Sequence, residues 1–282
     1  MRKICLILFF LILVIGNNAF SDDLLQQLSD KSLFNNQRDE VVNALLKLKP
    51  TLAMSSALLV IMNDNYSPME PGMPSKPWMD DRMSQKAKIW YAAGDVWDAW
   101  FREKDINKVK ILCALLNENH SNYIYYLIFG EMKNVQWDVV AEESVYNFTQ
   151  DNKHDIESRV HAYEVLMSHC KDKYIAEVLR FIASVPKKDQ LNYFCNIFEV
   201  GNRFFEYSLP SQKEIIKFGF ILLEEDGKNG FQSVRAVNLA LQLGFFLKIP
   251  GQFASGVALF HESSESMNTV KNALKWKKDN NL

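Results

Sequence analysis

The chain has 282 residues, 48% of them apolar and 23% charged, and its 32 basic residues against 34 acidic ones leave a formal net charge of −2. That balance excludes a protein that grips nucleic acid along a basic face, because replacing phosphate counterions takes clustered Lys and Arg, and the densest cluster is only Lys275, Lys277 and Lys278 near the end of the chain. The apolar fraction excludes a disordered chain and is enough for one large domain or two small ones.

The first segment, residues 1–21, reads as a secretory leader. Arg2 and Lys3 precede an unbroken apolar run from Ile4 to Ile15, and the small residues Ala19 and Ser21 then offer a signal peptidase a cleavage site before Asp22. The apolar run is short for a permanent span, which needs roughly 20 residues. Cys5 lies inside it, and no cysteine follows closely enough to carry a lipid. The leader holds two of the 32 basic residues and none of the 34 acidic ones, so the remainder carries a net charge of −4. No later apolar stretch is long enough to predict an integral membrane segment, since Lys217 and Gln242 interrupt the two longest. The expected location is outside the cytoplasm, in a bacterial periplasm or secreted.

Beyond Asp22, apolar residues recur at three and four positions with no sustained alternation, which predicts an all-α fold. Residues 22–62 form an N-terminal helical cap, residues 63–80 a loop, and residues 81–282 the main helical domain. The loop contains Pro68, Pro71, Gly72, Pro74 and Pro77, a composition no regular helix tolerates. The clearest helix runs from Ser84 to Glu103, with Ala87, Trp90, Ala93, Trp97 and Phe101 facing the core and Lys88, Asp95, Asp98 and Arg102 facing water. Further helices follow over Asp105–Asn117, His120–Lys133, Trp137–Thr149, Asp155–Cys170 and Asp172–Ser184, with four more in the C-terminal third. Ser211-Gln212-Lys213-Glu214 reads as a capping box opening one of these. The starts at Asp172 and Ser211 stand 39 residues apart, near the period of two-helix repeats. Two architectures fit: repeat-like helical hairpins stacked as an α-solenoid, or an irregular helical bundle.

Three groups of residues carry chemistry. Met69, Met73, Met79 and Met83 lie in and just after the proline-rich loop, beside Trp78. Thioether sulfurs suit Cu(I), whereas the same side chains also serve as apolar plugs under an irregular loop. His154, Glu157, His161 and Glu164 fall on one side of a helix at spacings of three, four and seven. The stripe Ile156, Val160, Tyr163 and Met167 points the other way, so the His/Glu side is expected to face solvent, and no metal or other cofactor is expected there. The third group is Glu143-Ser144-Val145-Tyr146-Asn147. It resembles the Glu-Ser-x-Phe-Asn signature of lytic transglycosylases, which cleave peptidoglycan. The resemblance implies Glu143 as general acid/base, but it covers five residues, and the Gly-Leu-Met-Gln-like motif that follows in that family has no counterpart here.

Cys113, Cys170 and Cys195 remain after the leader, an odd number, each on an apolar stripe, and free thiols are expected. No nucleophile elbow and no phosphate-cradling glycine loop occurs, so no catalysis is expected. The functional expectation is an exported helical protein that binds a protein or peptide partner through aromatic positions such as Tyr123, Tyr126 and Phe129. A peptidoglycan-cleaving enzyme using Glu143 is the alternative, and a Cu(I)-binding protein using the methionines is the third reading.

Overall fold

A computed structural model describes residues 20–66, 79, 82–102, 106–198, 202–228, 234–249 and 264–282. Of the expected leader only Phe20 and Ser21 are described, as part of a helix reaching residue 28, and most of the proline-rich loop, with Met69, Met73 and Trp78, lies outside the described residues. Among these residues every regular element is helical and no strand occurs, so the chain is all-α. No helix among them is long and apolar enough to cross a membrane.

In order the helices are α1 (residues 20–28), α2 (Asn35–Leu45), α3 (Leu52–Asp64), α4 (Gln85–Phe101), α5 (Ile106–Leu115), α6 (Asn122–Met132), α7 (Val139–Gln150), α8 (Ile156–Cys170), α9 (Ile175–Ser184), α10 (Lys187–Ile197), α11 (Leu209–Lys228), α12 (Val234–Phe246) and α13 (Ser264–Asp279). Short 3₁₀ turns at Lys171–Tyr174 and Asn202–Glu206 join some of them. The chain forms two compact units, Met1–Ser144 and Val145–Leu282, with the boundary inside α7.

Local chemistry explains where helices begin. Thr51 after Pro50, Ser84 and Asp155 each place a side-chain oxygen on a backbone N–H of the first turn, at 3.2 Å from Met54, 3.1 Å from Ala87 and 2.9 Å from Ser158. The start of α11 is different. Pro210 sits inside the first turn, so the helix opens at Leu209 and Ser211 is an interior residue with no capping role of the expected kind. Asp172 holds this end from 36 positions away, accepting the Ser208 N–H at 3.0 Å and the Ser208 hydroxyl at 3.2 Å. Hydrogen bonding from Ser211, with the Ser208 bonds behind it, lowers the Asp172 pKa against an opposing effect of burial. The two starts that stand 39 residues apart in sequence are thus in direct contact.

In the first unit α4 packs on α2 and α3, and α3 also packs on α5 and α6. Leu28, Leu45, Leu58, Ile89, Val96 and Trp97 are buried at its core. Trp100 donates from Nε1 to the Leu45 carbonyl at 3.1 Å, tying α4 to the end of α2. Arg38 on α2 is fully buried and bridges three places at once: Nη2 donates to Asp30 O at 2.6 Å, and Nη1 to Gln85 Oε1 at 3.2 Å and Leu33 O at 3.5 Å. Of the α4 residues expected to face water, Lys88 does not. It is buried and donates to Asn35 Oδ1 at 2.8 Å, because α2 covers that side of α4.

In the second unit α8 packs on α10, α9 on α10 and α11, α10 on α11 and α12, and α11 and α12 on each other and on α13. Val165, Leu166, Ile182, Phe194, Phe220, Leu223, Leu239 and Leu243 are buried there. Gly219 marks a tight crossing, since a Cβ at that position would come within 2.9 Å of Leu243 Cδ2 and 3.3 Å of Phe194 Cζ.

Candidate functional site

The richest exposed chemistry among the described residues lies on the outer sides of α4 and α6 in the first unit. The inward side of α6 buries Ile124, Tyr125, Ile128, Phe129 and Met132, so its 3.6-residue period turns Tyr123, Tyr126, Leu127, Gly130 and Glu131 outward together. By the same period, burial of Ala92, Ala93, Val96 and Trp97 turns Asp98 outward on α4 and leaves Trp90 half-exposed, while Gly94 faces α3, where a Cβ would meet Met62 Cε at 3.8 Å.

The two sides meet at an aromatic cluster. Trp90 Nε1 donates to the Tyr123 hydroxyl at 2.9 Å, and Tyr66, just past the end of α3, sets its ring 4.5 Å from Tyr123 and edge-on to Trp90 at 5.8 Å. Such ring pairs hold one another by offset and edge contacts. Tyr66 is 49% exposed, so the cluster reaches solvent at that ring, and Tyr126 on the same side of α6 is 55% exposed. Burial raises the Tyr123 hydroxyl pKa well above that of a free tyrosine; the Trp90 hydrogen bond opposes this, while Tyr66, Asp98 and Tyr126 reinforce it.

Eight residues further along each helix the chemistry becomes acidic. Asp98 stands eight residues past Trp90 on α4 and Glu131 eight past Tyr123 on α6, and with the aromatic cluster these outward residues make up the α4/α6 strip. Burial first and then the Asp98 charge push the Glu131 pKa up to about 7, with Lys108 and Arg102 pulling it down. Asp98 is exposed as a residue, yet its carboxyl is crowded: burial and Asp95 raise its pKa, and Arg102 lowers it. Gly130 lies between the aromatic and acidic ends, and a Cβ there would meet nothing within 4 Å. The surface of α6 at Gly130 is therefore open.

The Glu131 shift has a stability consequence. Its pKa is about 7 in the folded chain against 4.5 for a free glutamate, so the carboxyl is tolerated without penalty when protonated below pH 4.5, and folding stability falls as pH rises from there through 7. Glu131→Gln is expected to unfold at higher denaturant than the parent at pH 8, by about 1 kcal/mol after allowing for solvent screening of a partly exposed group, and to match it at pH 4.5. Urea titrations at the two pH values check this, and a variant that gains nothing at pH 8 contradicts the assigned environment.

The residues singled out from sequence are dispersed. Glu143 is exposed on α7. Of the methionines only Met79 and Met83 are described: Met79 is exposed and its carbonyl accepts from Asn35 Nδ2 at 3.3 Å, and Met83 is half-buried. The His/Glu stripe does not face solvent as expected. Only Glu157 is exposed; His154 precedes the helix and stacks on Phe148 with ring centroids 3.7 Å apart, and His161 lies 3.4 Å from Glu164 with both side chains largely covered. The cause is that α8 is buried on most of its circumference, Ser158, Ala162 and Val165 included. Among the described residues no three His, Cys, Asp or Glu side chains are placed to hold a metal. Cys113 is buried and Cys170 and Cys195 are half-buried, all as free thiols; burial pushes the Cys195 pKa up to about 12 and the Cys113 pKa upward, the reverse of what a reactive thiolate needs.

Sequence reasoning noticed Tyr123 and Tyr126 but missed their partners. Trp90 reads as a core residue but is only half-buried, while Asp98 faces water as its helix position predicts. No protein-family model, curated protein or solved structure matches the chain.

Proposed function

We propose that this chain is an exported helical scaffold that binds a protein or peptide partner through the α4/α6 strip. The observation that carries the reading is the cluster of Tyr66, Trp90 and Tyr123, with the exposed Tyr126 on the same side of α6, because tyrosine and tryptophan on a rigid helical surface anchor partners at little entropic cost. The packing order supports a stacked array of hairpins, since in each unit the helices lie against others one to three elements away along the chain. Export rests on residues 1–21, whose basic start, apolar core and small residues at Ala19 and Ser21 have the form of a cleavable leader. The mature chain would then act in a periplasm or outside the cell.

Installing a photoreactive phenylalanine analogue at position 126 of the full chain and irradiating cells of its source tests both halves. The expected product is a discrete protein adduct from position 126 that is missing from a control at the exposed Lys86, in a chain whose N-terminus is Asp22. Equal adducts from both positions, or a chain that keeps Met1 and stays in the cytosol, would count against the reading.

A further inference from the structure

We infer that the outward side of α13, with the adjoining flank of α11, is a docking face for an anionic lipid surface, formed by Lys271, Lys275 and Lys278 together with Lys213, Lys217 and Ile221. The inference concerns the second unit and does not depend on the partner proposed for the first.

The helix period sets the face. On α13 the side chains of Thr269, Val270 and Ala273 are buried, and at about 100° per residue Lys271, Lys275 and Lys278 fall within roughly 60° of one another on the opposite side. All three are exposed, in a row about 10 Å long at 1.5 Å per residue. Lys277, their neighbour in sequence, points elsewhere: it reaches Glu224 on α11 at 2.8 Å and lies over the Phe220 ring. These contacts, with Trp276 stacked on Phe220, lay α13 against α11. Lys217 stands seven residues before Glu224, hence on the same side of α11, and Lys213 precedes it by four; both are exposed.

Among the described residues none of these five lysines is in an ion pair, whereas Lys171, Lys187 and Lys277 in the same unit are. The exposed acids on the two helix sides are Glu214 and Asp279, since Glu224 is taken by Lys277. Lysines in a last helical turn answer the helix dipole, which accounts for Lys278 but not for Lys271 or the pair on α11. The composition favours lipid headgroups over an acidic peptide. All five cations are lysines, point charges without the planar fork that fixes a single carboxylate or phosphate, so the face responds to charge density more than to the position of any one anion. Ile221, four residues past Lys217 and 50% exposed, adds an apolar side chain that the boundary between headgroups and acyl chains can bury. Residues 145–282 hold 17 basic and 16 acidic side chains, against 13 and 18 in residues 22–144, so the second unit approaches a negative surface without the repulsion the first would meet.

Flotation with lipid vesicles of the purified chain from Asp22 onward, the form that leader removal would leave, tests the inference. In 50 mM salt the chain should float with vesicles of equal phosphatidylglycerol and phosphatidylcholine and stay behind with phosphatidylcholine alone, and 500 mM salt should release it. The combined variant Lys271→Gln, Lys275→Gln and Lys278→Gln should partition on the order of a hundredfold more weakly, about fivefold for each lysine. A control with Lys31→Gln, Lys47→Gln and Lys49→Gln removes the same charge from exposed positions of the first unit and should float as the parent does. Glutamine matches lysine in helix propensity and all six positions are exposed, so both variants should melt with the parent. An equal loss in the two variants, or flotation that ignores lipid charge, would overturn the docking face. No flotation, with immobilised polyglutamate capturing the parent but not the α13 variant, would overturn the lipid and assign the face to an acidic polypeptide. Failure to bind either support would overturn the face itself.

Discussion

Gly219→Leu is expected to cost the second unit about 3 kcal/mol or more and to leave its helices α10, α11 and α12 exchanging amide hydrogens freely at room temperature. Gly219 lies on the buried side of α11, where a mere Cβ would already stand 2.9 Å from Leu243 Cδ2 and 3.3 Å from Phe194 Cζ. Both contacts are the ends of side chains, so a single methyl can be absorbed by small rotations. Gly219→Ala should therefore come out near zero, its strain offset by the roughly 1 kcal/mol that alanine gains over glycine in a helix. Leucine has no such escape, since Leu243 and Phe194 are themselves fully enclosed. Urea denaturation of both variants, with hydrogen exchange read helix by helix, decides the point, and a leucine variant as stable as the alanine one would mean the crossing is looser than the distances imply.

Removing the buried guanidinium in the first unit should be nearly as damaging. Arg38→Met is expected to lose about 3 kcal/mol, because the Leu33 carbonyl and Gln85 Oε1 would lose the guanidinium donor and the Asp30 carbonyl would keep only the Leu33 N–H at 3.5 Å. The size of the loss follows from what remains behind. Replacing both members of a buried ion pair with apolar groups is often harmless, but two of the acceptors here belong to the backbone and cannot be mutated away. The native arrangement is itself imperfect: Arg38 Nε has no partner among the described residues, and burial lowers the guanidinium pKa while the Asp30 charge raises it. Arg38→Lys should recover part of the loss, since an ammonium reaches one or two of the three acceptors. A methionine variant with parental stability would show that water enters the Asp30–Leu33 turn and satisfies it.

The helical architecture was legible because it is written in short-range patterns. Ser84 and Asp155 are capping residues directly ahead of apolar periodicity, and α4 and α8 begin within one residue of where that signal places them. What sequence could not show were interactions made by residues far apart in it. Asp172 reads as the cap of its own helix, whereas its carboxylate holds the start of α11. Lys88 reads as solvated because nothing in α4 reveals that α2 lies over it. The His/Glu stripe of α8 looks like a surface for the same reason, since amphipathic periodicity fades on a helix that neighbours enclose on most sides. The candidate strip suffered most. Its aromatic members come from the segment after α3, from α4 and from α6, so each alone resembles an ordinary helix face, and only the Trp90–Tyr123 hydrogen bond and the Tyr66 ring contacts show that they meet.

The bond from Asp172 to Ser208 also bears on how the second unit acquires its shape. It spans 36 residues, and the helices around it pack mainly against elements close by in the chain. Closing such modest loops costs little entropy, so contacts of this range form early and the search for the native arrangement is brief, on the order of microseconds to milliseconds for helical proteins dominated by local contacts. A nascent chain could therefore assemble α8 to α11 before α13 has been synthesised, and the last helix would dock onto a surface already in place.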